Sequence, residues 1–133
     1  MFDHIGIFVS DTGKSIPFFE ECLAPLGIKI YQRQPEWGSV VFSGQPDFPF
    51  LWVGPAGGAY YGTKVPTSER RPMHLAFMAP TKEAVDEFHR LGMECGGVDN
   101  GAPEDCGGGC YAAYLLDPDG NNIEAIYRGG VAL

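Results

Sequence analysis

The sequence predicts an α+β fold in which two consecutive βαβββ modules form a curved mixed sheet, with the helices on its convex side. The prediction rests on an internal repeat, because an order of strand, helix and three strands occurs twice along the chain. Aligning His4 with His74 also aligns Phe18 with Phe88 without a gap. The two halves of the chain are therefore expected to be copies of one structural unit.

The two copies also share their closing hairpin. Residues 45–47 (Gln-Pro-Asp) match residues 117–119 (Asp-Pro-Asp), and this match aligns Trp52 with Glu124. A chain of 133 residues suits one domain with a sizeable core. We therefore expect a single domain over 1–133, with module 1 at about 1–55, a linker rich in glycine and proline at 56–71, and module 2 at about 72–133.

Module 1 opens with alternating apolar residues, which predict a strand over residues 2–9 whose Ile5, Ile7 and Val9 side chains pack on a helix. Capping side chains precede helical spacing from Lys14 to about Leu26, and Pro17 is tolerable only in the first turn of that helix. The other predicted strands of this module begin at Ile28 and cover Ser39–Ser43 and Phe50–Val53.

Module 2 repeats this pattern. Residues 73–78 predict a strand, in which His74 is placed as His4 is in module 1. A helix is predicted from Lys82 to about Leu91, followed by a short strand at 93–95. The glycine-rich residues 96–109 are expected to form a mobile loop over a site. The last two predicted strands are Tyr111–Leu116 and Asn122–Tyr127.

A tight turn joins these last two strands and leads to a carboxylate on an apolar strand. Pro118 fits the second position of the turn, and Gly120 can take the positive φ that the turn needs. In the following alternation Glu124 lies on the opposite face from Ile123. A carboxylate among apolar neighbours is costly unless it is paired, so the strand raises the question of what pairs with Glu124.

The overall charge limits the possible partners. The formal net charge of −8 and the pI near 4.7 argue against binding to nucleic acid or to an anionic membrane surface. No apolar run approaches the ~20 residues of a membrane span. The chain begins in strand-like sequence without a signal-peptide pattern, so a cytoplasmic location is expected. We find no nucleotide-binding loop and no Ser-His-Asp arrangement.

The four cysteines do not indicate a zinc site, because they include no C-x₂-C pair and no histidine completes a finger-type spacing. Without a secretory signal, reduced thiols are expected. Cys106 and Cys110 flank three glycines and could pair under oxidation.

Three segments resemble the vicinal oxygen chelate superfamily, which includes glyoxalase I, extradiol dioxygenases and the fosfomycin- and bleomycin-resistance proteins. They are residues 2–6 (Phe-Asp-His-Ile-Gly), residues 73–77 (Met-His-Leu-Ala-Phe) and residues 116–124 (Leu-Asp-Pro-Asp-Gly-Asn-Asn-Ile-Glu), of which the last is the most specific. The resemblance covers nearly the whole chain. It implies the glyoxalase/bleomycin resistance/dioxygenase fold, a small-molecule substrate and, as in many small members, a homodimer with sites built across the subunit interface.

The resemblance also implies a metal ion bound by His4, His74 and Glu124. Two imidazoles and one carboxylate leave coordination positions open and suit a divalent ion such as Fe, Mn, Ni or Zn. Because the ligands must be deprotonated, metal affinity should fall at acid pH. The alternative is that both histidines are satisfied core residues and that Glu124 pairs with an arginine. His4, His74 and Glu124 all lie at positions that the internal repeat aligns, and this agreement favours the metal site.

Position 52 departs from the glyoxalase I pattern, which has a fourth ligand, a glutamate, at this place. Trp52 cannot ligate a metal as a carboxylate does, so standard glyoxalase I activity is not expected. Glu124 and Tyr114 are the candidate catalytic residues, Tyr114 as a proton donor or a hydrogen-bond partner of the substrate. Four aromatic residues could wall a substrate pocket or simply pack in the core: Trp37, Phe42, Trp52 and Tyr114.

Two functions fit these observations. The first is a metal-dependent enzyme acting on a small molecule with adjacent oxygen atoms, by lyase/isomerase or ring-cleaving dioxygenase chemistry. The second is a protein that sequesters an antibiotic or metabolite without turnover, and an acidic protein suits capture of a cationic compound. The complete His4, His74 and Glu124 set favours the enzyme.

Overall fold

The structure is a computed structural model that describes residues 1–44, 49–55 and 72–129. The described elements follow the order βαβββ twice. A single 3-10 turn, Ala24–Leu26, extends the first helix. In chain order the elements are β1 His4–Val9, α1 Thr12–Leu23, β2 Lys29–Gln34, β3 Ser39–Ser43, β4 Phe50–Pro55, β5 His74–Met78, α2 Lys82–Glu94, β6 Val98–Gly107, β7 Cys110–Leu116 and β8 Asn122–Arg128.

The strands form two four-stranded sheets of identical topology. The strand order is β1-β4-β3-β2 in the first sheet and β5-β8-β7-β6 in the second. Each sheet combines one parallel pair, β1 with β4 or β5 with β8, with antiparallel hairpins. The two mixed sheets with one helix each confirm the predicted α+β fold and its repeat.

One apolar core joins the two halves. Helix α1 contacts α2, and Phe18 and Phe88, which the repeat aligns, are both fully buried in this core. Ile7 is buried against the same core, as the alternation in β1 predicts. A polar contact adds a second link, because the backbone N–H and the hydroxyl of Ser10 donate to the Asp119 carboxylate at 3.0 and 2.5 Å.

The chain after α2 differs from the prediction. The helix continues to Glu94, so the strand predicted at 93–95 is wrong. Most of the residues predicted as a mobile loop instead form β6, a strand of 10 residues. The register of β6 against β7 shifts three times, so its side chains do not alternate regularly. Pairing with β7 forms this strand, and a local sequence pattern does not reveal that pairing.

Helix α1 begins earlier than predicted, at Thr12 instead of Lys14. Asp11 is its cap, and its carboxylate accepts a hydrogen bond from the Lys14 N–H at 3.3 Å. Pro17 therefore lies in the second turn and not in the first. Because Pro17 has no N–H, the Gly13 carbonyl loses its helical partner. Both residues are exposed, so water can bind this carbonyl.

The cysteines fall into two classes. Cys106 and Cys110 form a disulfide, whereas Cys22 and Cys95 are free thiols. The expectation of reduced thiols therefore holds for two of the four residues, and the pairing considered for the other two is present.

Candidate functional site

Glu124 lies on β8, inside the second sheet, and is only 7% exposed. Its neighbours along the strand, Ile123 and Ala125, are fully buried in the apolar core. The carboxylate therefore lies on the sheet face away from the helices. On that face Ala76 lies opposite it on β5, and Tyr114 lies opposite it on β7.

The turn before β8 determines where Glu124 is placed. Gly120 has a φ of 84°, and its N–H donates to the Asp117 carbonyl at 2.9 Å. The buried Asp117 carboxylate accepts bonds from the backbone and the side chain of Asn121 at 2.7 and 2.9 Å. Burial raises the pKa of Asp117, although these hydrogen bonds oppose the shift. Asn121 also accepts a bond from the Met73 N–H at 2.9 Å, which ties the turn to the start of β5.

His74 is the partner of the Glu124 carboxylate. Its Nε2 atom lies 3.2 Å from Glu124 Oε2, and its side chain is 52% exposed. The other ring nitrogen, Nδ1, lies 3.1 Å from the main-chain oxygen of Asn122 and 3.0 Å from its side-chain nitrogen. Asn100 in turn donates to Asn122 Oδ1 at 3.0 Å. Among the described residues, the carboxylate is thus paired with a histidine.

Tyr114 completes this group on the second sheet. Its ring lies 6.4 Å from the His74 ring, at an interplanar angle of 28°. Burial raises the pKa of Tyr114, and the negative charge of Glu124 and a hydrogen bond to that carboxylate raise it further. The hydroxyl therefore keeps its proton at neutral pH and can act as a hydrogen-bond donor.

His4 lies on β1, in the first sheet. Its ring stacks on Phe50 with centroids 4.5 Å apart, and its Nδ1 atom lies 2.5 Å from the Asp3 carboxylate. Within the described part of the chain, no three His, Cys, Asp or Glu side chains come together in a group that could hold a metal ion. One chain therefore brings His74 and Glu124 together, with His4 held elsewhere.

Trp52 occupies the place in the first sheet that Glu124 occupies in the second. Trp52 lies opposite Gly6 in the parallel β1–β4 ladder. Glu124 lies opposite Ala76 at the same point of the β5–β8 ladder. The indole is 2% exposed, and its Nε1 atom donates to Gln34 Oε1 at 3.0 Å. The register agrees with the sequence alignment, so position 52 offers an indole where the second sheet has a carboxylate.

The four aromatic residues considered for a pocket wall lie in different places. Phe42 is fully buried in the helix-side core, where its ring lies 6.3 Å from that of Phe19. Its neighbour in sequence, Val41, pairs with Trp52, so Phe42 is on the opposite face of the sheet. Trp37 lies in the turn between β2 and β3 and is 44% exposed. From the sequence, Tyr60 and Tyr61 could also line a pocket or pack over an edge, and Arg70 and Arg71 could attract an anionic substrate group or be solvated. All four lie outside the described residues.

Sequence reasoning missed the amide side chains of the site. Asn122 is part of the closing motif but was assigned no role, although it contacts His74. Asn100 lies in the stretch predicted as a loop, so no pattern placed it next to Asn122. The charged neighbours of His89 in the sequence predict a solvated surface position, but its side chain is only 14% exposed and pairs with Asp99 at 2.9 Å.

The sequence pattern of the glyoxalase/bleomycin resistance protein/dioxygenase superfamily matches residues 1–125. The chain belongs to this superfamily. The expected resemblance is therefore confirmed. A search of curated proteins finds no match. Neither helix of the described residues has the length and apolar character that a membrane span requires.

Solved structures of the superfamily share the fold. A glyoxalase/bleomycin resistance protein from Albidiferax ferrireducens T118 is 26% identical, with a TM-score of 0.72 over 96% of this chain and 98% of that one. A glyoxalase-related enzyme from Fulvimarina pelagi is 19% identical, with a TM-score of 0.74 over 100% and 97%. A lactoylglutathione lyase from Agrobacterium tumefaciens is 17% identical, with a TM-score of 0.66 over 96% and 92%. The two more distant likenesses concern the fold alone.

Proposed function

We propose that this superfamily member is a divalent-metal-dependent enzyme acting on a small molecule with adjacent oxygen atoms, by lyase/isomerase or dioxygenase chemistry. The observation that carries the proposal is the pairing of His74 Nε2 with Glu124 Oε2 at 3.2 Å on the face away from the core. An imidazole and a carboxylate that converge in this way are suitable ligands for Fe, Mn, Ni or Zn.

The surroundings of His74 fit a ligand role. Metal-bound histidines commonly donate their second ring N–H to a carbonyl, which fixes the ring orientation. The Asn122 carbonyl lies 3.1 Å from His74 Nδ1 and is placed for this bond, with Nε2 turned toward Glu124. A bound divalent ion would supply Lewis-acid stabilisation of negative charge on a bidentate substrate.

The third ligand would come from a second copy of the chain. His4 belongs to β1 and His74 to β5, and each is the outer strand at one edge of its sheet. If the β1 edge of one subunit lies beside the β5 edge of another, His4 of the first joins His74 and Glu124 of the second. A two-fold homodimer would then contain two such composite sites.

Two other side chains of the protein would influence the reaction, Tyr114 and Trp52. Tyr114 keeps its hydroxyl proton and lies beside Glu124, so it can donate a hydrogen bond or a proton to a substrate oxygen. Trp52 adds no carboxylate to the ligand set, which leaves more positions for substrate oxygens than glyoxalase I has. This difference mildly favours dioxygenase-like or other bidentate chemistry over the glyoxalase I reaction.

Mixing two inactive variants tests both the ligands and the shared site. His4→Ala and His74→Ala proteins are each expected to bind almost no Co²⁺ or Zn²⁺ at micromolar concentration, measured by calorimetry and elemental analysis. After subunit exchange, about half of the dimers carry one variant of each kind, and one of their two sites is intact, so about a quarter of wild-type binding should return. Without that recovery the shared site is disproved. Full metal binding by either variant alone would disprove the ligand set.

Sequestration without turnover is the second candidate, and a cavity favours it. An apolar space of about 350 Å³ lies between the first sheet and β5, within the range of small-molecule sites. It is lined by Ile5 and Leu75, which point away from the faces that carry His4 and His74. Ligand binding that survives both Glu124→Gln and a chelator would support this function and count against the enzyme.

A further inference from the structure

We propose that Cys106 and Cys110 form a reversible redox site that exchanges with low-molecular-weight thiols, independently of the metal site. The two residues lie at the tip of the β6–β7 hairpin, with their Cα atoms 5.2 Å apart. Cys106 is exposed and Cys110 is half-buried, so a small thiol can reach the first sulfur directly.

The backbone of the tip holds the two cysteines together without help from the sulfur bond. Gly107, Gly108 and Gly109 have φ values of 86°, 61° and 81°, a left-handed run that residues with a Cβ rarely adopt. The Gly107 N–H donates to the Asp105 side chain at 2.8 Å. The Gly109 carbonyl accepts a bond from Gly129 at 3.0 Å, which fastens the tip to the end of β8.

The disulfide therefore adds little to the stability of the fold. It closes a loop with a sequence separation of 4, and the stabilisation from a cross-link is smallest for short loops. The same segment is already paired as a β-hairpin. Because the hairpin is paired independently of the bond, the two reduced thiols stay close together and the bond can re-form. Both redox forms are compatible with one structure.

The register of the second sheet gives the two sulfurs different roles. Arg128 on β8 lies directly opposite Cys110 on β7, and side chains at such positions are neighbours on one face. A nearby guanidinium favours the thiolate of Cys110 and makes it the better leaving group. The exposed Cys106 is then the sulfur that an incoming thiolate attacks.

The exchange balances with two equivalents of thiol. The first thiolate bonds to Cys106 Sγ, the sulfur bond to Cys110 breaks, and its electron pair stays on Cys110 as a thiolate. A second thiolate attacks the small-molecule sulfur of the mixed disulfide and releases Cys106 as a thiolate. The two thiol protons neutralise the two cysteines, so two small thiols are oxidised to their disulfide while the protein disulfide is reduced.

The other cysteines lie in surroundings that suppress this chemistry. Cys22 is fully buried in the core, and burial holds the pKa of its thiol well above the ordinary value. The pKa of Cys95 is also raised, by burial and by the carboxylates of Glu21 and Glu94. Exchange should therefore be confined to the hairpin.

The experiment uses native, untagged protein treated with cysteamine, followed by mass spectrometry of alkylated cysteines and by circular dichroism. Cys106 and Cys110 should be reduced without denaturant and without loss of fold, and should pair again when cystamine is added. Reduction that requires denaturant would overturn the proposal, as would a reduced pair that does not re-form with cystamine.

Two variants test the assigned roles. Arg128→Gln should slow reduction by about threefold, because the Cys110 thiolate then leaves without a guanidinium beside it. The control Lys29→Gln removes the same charge from β2 and should not change the rate. Cys110→Ser should leave Cys106 able to form a mixed disulfide with cystamine, with release of one cysteamine, whereas Cys95 in the same protein should stay unmodified. Equal rates for the two charge variants, or equal labelling of Cys95, would contradict the mechanism.

Discussion

The β1–β4 and β5–β8 ladders have the same geometry and different chemistry. Both are parallel, both begin with a histidine, and both place a large side chain opposite a small residue two positions later. In the first ladder that side chain is Trp52, which is buried and bonded to Gln34. In the second it is Glu124, which faces His74. One scaffold position can thus serve packing in one copy and a polar site in the other.

Of the predicted changes, Trp52→Ala should have the largest effect, which is a loss of folding stability. Removing a fully buried indole leaves a cavity, and such changes cost about 3–5 kcal/mol. Chemical denaturation should show this loss. Trp52→Phe keeps one aromatic ring but removes part of the buried volume and the bond to Gln34, so it should cost less, about 1–3 kcal/mol. A Trp52→Ala protein as stable as wild type would mean that the first ladder does not depend on this packing.

Glu124→Gln should affect metal affinity more than stability. Loss of the proposed direct ligand should weaken Co²⁺ or Zn²⁺ binding by more than about 100-fold, the upper range for outer-shell partners. Titration of the purified protein with each metal measures this change. Glu21→Gln removes the same charge from an exposed position on α1 and should leave affinity unchanged. An equal loss in both variants would point to general electrostatics instead of ligation.

Asn122→Ala should lower metal affinity by less than Glu124→Gln does. The change should concern the second ladder alone. The substitution removes the amide that contacts His74 and leaves the main-chain oxygen in place. Metal affinity should fall by about 10-fold, as for other outer-shell partners. Gln34→Ala, which removes the β2 amide bonded to Trp52 of the first ladder, should lower stability without changing metal affinity. Reversal of these two outcomes would contradict the division of roles between the ladders.

The smallest expected effect is a change of folding stability with pH that comes from Asp117, in the turn before β8. In the described part of the chain, only the second ladder has this turn. Burial raises the folded-state pKa of Asp117 above its ordinary value of 3.8. Its favourable contribution to the free energy of unfolding is therefore complete below about pH 3.8, and it is lost as the pH rises through the folded-state pKa. Relative to Asp117→Asn, the wild type should lose stability over that rise, as urea unfolding at several pH values would show. A difference that stays constant with pH would contradict the shift.

Some elements could be predicted because their signals are local. The tight turn is encoded by Pro118 and Gly120, and the structure has the positive φ at Gly120. Alternation along β1 and β8 assigned the correct faces, because the side-chain period of a strand is two. Strand β6 had no such signal, since its shifting register depends on β7. The network from Asn100 to His74 was equally hidden, because it requires that pairing first.

The sequence by itself determined the repeat, the α+β class and the alignment of Trp52 with Glu124, since these follow from patterns of a few residues that recur at corresponding places. Only the tertiary structure decided that His74 faces Glu124 within one chain, that His4 is held beside Asp3 and Phe50 on the other sheet, and that two cysteines pair at a hairpin tip. The physical reason is the distance along the sequence over which each kind of information acts. Periodicity determines which face of a strand a side chain occupies, whereas the packing of helices and sheets determines which faces meet.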